Sequence, residues 1–382
     1  MKICLINNLF RPYSVGGAEG VVEMQEEGLR NAGHEVFVVT TKPDGKMENN
    51  ENIYRFKPMN LFYYKELNKR NVILKILWHI VNMFNLHSYY QIEQILKKEK
   101  PDLVITHNLM GIGFLIPLLI KTLGIKHIHL LHDVQLVVPS GLIIKGQEDN
   151  FLVSGLPTKV YGLLCKWLFG SPSRVVSPSK WLMDFHVNRG FFRKSHRLIL
   201  KNPINNYTSK NSLLTTHSRT NDYLFIGQME NHKGIEWLVN FWGKNSIENK
   251  LFVVGDGSLQ FESKDNIEFL GRLSGDKLTE VFEKVDFLIM PSLCYENSPT
   301  VISMAYQHGT PVVCANIGGA GELVKENETG YLFEPGVSES LLKVLGKCSK
   351  LKETSYSKMR EFCFNERENY NLDRYIIKLL NI

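Results

Sequence analysis

Short apolar runs recur along the chain, and longer stretches with helical spacing separate them. KICLIN (2–7), EVFVVT (35–40), DLVIT (102–106), KHIHLLH (126–132) and RVVSPS (174–179) are rich in β-branched residues and predict strands. Strands alternating with helices imply a parallel sheet. After LKNPINN (200–206) and the polar stretch YTSKNSLLTTHSRTND (207–222) the rhythm restarts with YLFIG (223–227), LFVVG (251–255), IEFLG (267–271), DFLIMPS (286–292) and PVVCA (311–315). The polar stretch is therefore expected to join two domains, 1–205 and 206–360, with a helical segment over 361–382 packing back on the first. The expected architecture is α/β, two doubly wound Rossmann-like domains facing across a cleft, with ligands at the carboxyl ends of the strands.

Composition narrows the setting. A chain of 382 residues with 43% hydrophobic and 22% charged residues is long enough for two cores. Its six cysteines lie far apart with no Cys-x-x-Cys pair, which suggests reduced thiols in a cytoplasmic protein rather than a zinc site or a disulfide framework. The apolar run after Met1-Lys2 is too short for a signal peptide. The longest uncharged apolar run, Leu109 to Ile120, has 12 residues against the ~20 a membrane span needs.

The net charge of +6 is modest, yet basic residues cluster with aromatic ones. Phe62 to Phe84 carries Lys65, Lys69, Arg70 and Lys75 against one Glu66, interleaved with Tyr63, Tyr64 and Trp78, and Asn188 to Lys201 sets Phe191-Phe192 beside Arg193-Lys194. Such stretches are expected to touch an anionic membrane at its cytoplasmic face, the alternative being solvated helix faces. Nucleic acid is not expected, since no recognised nucleic-acid-binding pattern accompanies the charge.

Candidate chemistry sits in the loops that follow the strands. NNLFRPYSVGGAE places Gly16 and Gly17 between the first strand and the first helix, where backbone can approach a ligand closely. FIGQMENHKGIEWL offers Lys233, a mobile cation, at the start of the next helix. VVGDGS and FLGRLS add strand-to-turn glycines, and LLHDV leaves His132 at a strand end. In PSLCYENSPTVISMAYQHGTPVV, Ser298 reads as a helix cap and Pro299 as the first helical residue, so the amides that follow face an anion, most often a phosphate. His127, His129 and His132 are not expected to form a metal site, because alternation along a strand would send His129 and His132 to opposite faces.

In this order and spacing the segments resemble the retaining glycosyltransferases of family 4, which have the GT-B fold: GGAEGVVEMQEEGLRNAGHEVFVVT, HNL, LLHD, SPSKWL, KNPI, GQMENHKGI, VVGDGS, FLGRLSGDKL, MPSLCYENSPTVISMAYQHGTPVVCANIGGAGELV and ETGYLFEPG. The resemblance implies transfer of a hexose-type sugar from a nucleotide-sugar to a cell-surface glycan or lipid-linked saccharide, with no cofactor and no metal. The chain contains no Asp-x-Asp, which accords with the metal-free case.

By the same resemblance Glu296 contacts the donor sugar and Lys233 the diphosphate, which the amides of Thr300 and Val301 also cover. Gly16 and Gly17 approach the diphosphate, His132 lies near the donor sugar, and Arg272 sits where the nucleobase is held. Two positions depart from the family pattern: Gln228 stands where an Arg is frequent, and Met304 where a second Glu usually holds the ribose. A thioether is a weak acceptor. A nucleotide-sugar-binding scaffold of low activity, or less readily a nucleotide-sugar epimerase, are the alternatives.

Overall fold

The computed structural model describes residues 1–13, 16–42, 52–204, 219–245, 247–264 and 266–381, without the side chains of Lys65 and Asn68. The chain divides into two compact units, Met1–Leu142 with Asp149–Pro203 and Leu372–Ile382, and Ile143–Glu148 with Ile204–Asn371. The expected boundary at 205/206 and most of the polar stretch lie outside the described residues. Of the segment 361–382, residues up to Asn371 belong to the second unit and the helix Leu372–Leu380 to the first.

The first unit is built on a seven-stranded sheet of β1 (Lys2–Ile6), β2 (Glu35–Thr41), β3 (Ile53–Phe56), β4 (Leu103–Thr106), β5 (Lys126–Leu130), β6 (Arg174–Ser177) and β7 (His196–Ile199), in the order β3-β2-β1-β4-β5-β6-β7. All pairs are parallel, with Lys2 opposite Glu35 and Ile3 opposite Leu103. Ile3, Leu5, Val36, Val38 and Ile105 fill one face, against Val22 and Leu29 of the helix Gly17–Asn31 and Leu372, Tyr375, Ile376 and Leu379 of the terminal helix. Gly28 makes that helix pair possible, since a Cβ there would lie 2.9 Å from the Ile376 side chain.

The second unit repeats the plan with β8 (Tyr223–Ile226), β9 (Leu251–Val254), β10 (Ile267–Gly271), β11 (Phe287–Met290), β12 (Val312–Ala315) and β13 (Gly330–Phe333), in the order β10-β9-β8-β11-β12-β13. Side-chain alternation sends Phe287 and Ile289 into one apolar layer and Leu288 and Met290 into the other. Both faces are thus covered, as parallel sheets require.

All ten expected strands are present. The three that the apolar pattern does not reveal, β3, β7 and β13, each lie at the edge of a sheet. β3 is half-buried and β7 mostly exposed, so IYRF and HRLI carry charged residues a central strand would exclude. The basic stretches also differ from expectation. Trp78 is fully buried, and Phe191 and Phe192 pack on the His186 and His129 rings inside the first unit. Of Phe191–Lys194 only Arg193 and Lys194 face water, so these four residues form no aromatic rim.

Candidate functional site

In each sheet the strand order reverses between two central neighbours, β1 and β4 in the first and β8 and β11 in the second, and in open α/β sheets ligands bind beyond the carboxyl ends at such a reversal. Lys233 ends the short turn Asn231–Lys233 that follows β8. Gly234 comes next at φ +77°, where a Cβ would lie 2.0 Å from the Pro291 carbonyl oxygen, so this contact with the end of β11 admits only glycine. A second tie is the Leu293 amide, which donates to the His232 carbonyl at 3.0 Å.

Glu296 lies in the loop after β11, and its Oε1 accepts from Lys233 Nζ at 2.6 Å and Ser292 Oγ at 3.0 Å, with Cys294 Sγ at 3.7 Å. The two charged side chains keep only 26% and 15% of their surface in water. Burial by itself would lower the Lys233 pKa, but the Glu296 carboxylate beside it reverses the shift and leaves the ammonium raised above its ordinary value. The backbone of Glu296 is fixed as firmly as its side chain. Its carbonyl accepts the Gly319 amide at 2.7 Å, and Gly318, at φ +61°, sits so close that a Cβ would fall 2.3 Å from the same oxygen. Residues 143–148 line the other side: the Lys145 amide donates to Leu293 O (2.8 Å), the Tyr295 amide to Ile143 O (2.9 Å) and the Tyr295 hydroxyl to Glu148 (2.8 Å).

The helix Thr300–Gln307 starts beyond Pro299, whose ψ of 119° is extended, and no side chain caps it. Ser298 therefore stands too far ahead of the first turn to act as the expected cap. Val301 and Met304 are half-buried against the apolar layer that contains Ile302 and Ala305, which places Met304 at the edge of the core, one turn beyond Thr300. Gln228 is exposed just past β8. Arg272 is exposed past β10, the edge strand, two strands away from β8.

In the first unit His107 follows β4 and His132 follows β5, so adjacent strand ends bring them together, with His107 Nδ1 3.0 Å from His132 Nε2 and the rings stacked. Burial pushes His132 down to about 4 and holds His107 well below its ordinary value, so both rings are neutral near pH 7. The Thr106 hydroxyl lies 2.7 Å from His127 Nε2 and 2.8 Å from His129 Nδ1. His129 and His132 line the same small cavity, with His107 and Asp133. The expectation that they face opposite ways fails because β5 ends at Leu130, before His132, and strand alternation no longer applies. Among the described residues no cluster of three or more His, Cys, Asp or Glu side chains is arranged to hold a metal ion.

Asp133 is pushed up to about 6 by burial, although the Gln135 amide donates to it at 2.7 Å, and nearby Glu19 adds to the rise. The helix Gly17–Asn31 begins after Gly16, whose amide donates to Glu19 Oε2 at 2.8 Å, so this helix start is occupied by its own carboxylate. Ser14 and Val15, which complete that loop, lie outside the described residues. Ser292, Gly318, His107 and Asp133 are the positions that motif reading missed. Of these, His107 and Asp133 lie within the HNL and LLHD segments, and Gly318 belongs to a double glycine in the loop after β12.

Residues 15–205 match the family model described as Glycosyltransferase Family 4, and residues 220–349 the model described as Glycosyl transferases group 1. An uncharacterized 42.6 kDa protein in the cps region of Klebsiella pneumoniae is 28% identical over 346 residues, covering 87% of this chain and 90% of that one. Among solved structures, Anabaena HepE in complex with UDP matches with a TM-score of 0.70 at 16% identity, over 99% of this chain and 98% of the other. The apo form of the lipopolysaccharide outer core galactosyltransferase WaaB matches with a TM-score of 0.66 at 17% identity, over the full length of both. These structural likenesses are likenesses of fold, the two-domain Rossmann-like GT-B fold.

Proposed function

Because this chain belongs to the glycosyltransferases, with a family model spanning half of its length, we propose that it moves a hexose-type sugar from a nucleotide-sugar donor to a cell-surface glycan or a lipid-linked saccharide, with retained anomeric configuration and without a metal ion. The observation that carries this reading is the half-buried Lys233–Glu296 pair at the reversal point of the second sheet. In the reaction the bond from the anomeric carbon to a diphosphate oxygen breaks, a bond to the acceptor oxygen forms, and the acceptor proton leaves. Negative charge collects on the departing diphosphate, where Lys233 and the amides of Thr300 and Val301 would stabilise it more than they stabilise the intact donor. Glu296 would accept the sugar hydroxyls in charge-assisted bonds. His132, neutral at pH 7, would serve the sugar as a hydrogen-bonding group rather than a cation.

The solved relatives bound to UDP and UDP-glucose support a nucleotide-sugar donor, and the relatives from a cps region and from lipopolysaccharide synthesis support a surface-glycan acceptor. The family models describe transferases and do not favour the binding-only and epimerase alternatives. A thermal-shift panel of nucleotide-sugars identifies the donor, because a bound ligand stabilises the folded state by mass action. With that donor, release of free nucleotide should depend on acceptor, the product should keep the donor's anomeric configuration, and chelator should leave the rate unchanged. Acceptor-independent release, an inverted product, or a requirement for added Mg²⁺ would each count against the corresponding part of the proposal.

A further inference from the structure

The first unit presents apolar side chains on helices whose inner faces are already buried. The helix Leu156–Phe169 turns Tyr161, Cys165 and Leu168 inward and shows Leu156, Val160, Leu163 and Trp167 to water, with Leu156 71% and Trp167 68% exposed. Their spacing of four, three and four residues makes one continuous stripe. The helix Val72–Met83 buries Trp78 and Met83 and exposes Val72, Ile73, Ile76, Leu77 and Ile80. The two helices touch through the His79 and Tyr161 rings, 5.7 Å apart. Soluble monomers rarely leave so many large apolar side chains on neighbouring helices uncovered.

The charges on these helices single out what covers them. Lys75, Lys159 and Lys166 are their only Lys, Arg, Asp or Glu residues. A two-fold pairing of this face with a second copy would bring lysines against lysines with no carboxylate on either helix to balance them. An anionic lipid surface supplies the missing countercharge. Lysine stems can lie along the acyl boundary with their ammonium groups at the phosphates, and an exposed tryptophan suits the headgroup level. No helix among the described residues is long and apolar enough to cross a membrane, so the mode open to this surface is contact in the plane of the interface.

We propose that the Leu156–Phe169 and Val72–Met83 helices dock the protein on an anionic lipid bilayer, with Trp167 inserted at the headgroup boundary. This goes beyond the transfer reading and stands without it, since it rests on a surface and not on the donor site.

The test uses the full chain with vesicles of phosphatidylcholine alone or mixed with phosphatidylglycerol. The mixed vesicles should sediment the protein at least about tenfold more effectively, and high salt should weaken the binding. Leu163→Ser/Trp167→Ser, at two exposed positions, should lower binding by about tenfold or more, and Lys159→Gln/Lys166→Gln should lower it for the mixed vesicles only. Brominated acyl chains should quench the wild-type tryptophan emission, and Trp167→Phe should keep binding while losing most of that quenching, a readout independent of how the double variants fold. No sedimentation with mixed vesicles, unchanged binding by Leu163→Ser/Trp167→Ser, or no quenching would overturn the proposal. So would concentration-dependent dimers abolished by the same substitutions, which would give the face to a second copy of the chain.

Discussion

The Lys233 ammonium lies 2.6 Å from the Glu296 carboxylate although 63 positions separate them in the chain. β8 and β11 are neighbours in the sheet but not in the sequence, and each residue sits in the loop beyond its strand. Lys233→Ala and Glu296→Gln should therefore each lower kcat/KM by about a hundredfold or more while the protein still folds. As members of one ion pair they should be non-additive, so the double variant should lose much less than the product of the two single losses. Steady-state kinetics on the three variants decides this, and fully multiplicative losses would mean that the two side chains serve the donor separately.

Met304 stands one turn beyond Thr300 with part of its surface against the apolar layer of the sheet. Met304→Glu should place a carboxylate where a ribose diol could meet it. A charge-assisted hydrogen bond of roughly 1.5–3 kcal/mol would tighten donor binding about tenfold or more. Without donor the same carboxylate is partly desolvated, so the free protein should melt lower and recover with nucleotide-sugar. Melting temperatures of wild type and variant, each with and without donor, provide the comparison. An equal or smaller donor-induced shift in the variant would assign position 304 to the core alone.

Stability should fall on mild acidification. Burial lowers His132 and His186 to about 4 and His127 to about 3, each below the ordinary value of 6.5. The unfolded chain therefore takes up protons on these rings below pH 6.5 that the folded chain refuses. Their contribution is complete above 6.5 and is lost as pH falls toward the folded values, by up to about 1.4 kcal/mol per pH unit for each ring. Asp133 acts in the opposite sense. Raised to about 6, it favours the folded state below its ordinary 3.8, an advantage that fades as pH climbs through 6. One carboxyl against three imidazoles leaves the histidines dominant, so calorimetric Tm should drop between pH 7 and pH 5.5. A flat profile over that window would show that the rings are already charged in the folded protein.

How much of this was legible beforehand depended on whether the signal was local. Ten strands were: nine are central, and a central parallel strand is buried on both faces and reads as a compact apolar run, while the edge strand β10 keeps Ile267, Phe269 and Leu270. β3 and β7 were not, since an edge strand with solvent on one side tolerates Arg55 or His196. Lys233 and Glu296 stood out through their motifs, but their contact is a product of strand order, which periodicity does not encode. The same holds for His107 and His132, and for the backbone grip of Gly318 on Glu296. Ser298 was misread because a Ser-Pro pair has the right residues for a helix start whether or not the proline adopts helical ψ. Phe191 and Phe192 looked exposed because charged neighbours flank them, yet a burial pattern is set by the fold around a residue and not by the residues beside it.

The terminal helix has a consequence for the order in which the protein is made. Leu372, Tyr375, Ile376 and Leu379 complete the apolar layer over strands that begin at Lys2, but they follow the whole of the second unit in the chain. A ribosome delivers β1 through β7 long before it delivers that helix. During synthesis the first unit must wait, with Gly28 and its neighbours uncovered, until residues 204–371 have been made. The second unit, with residues 143–148 already in hand, can close first. The unit that starts the chain is thus the last to be finished.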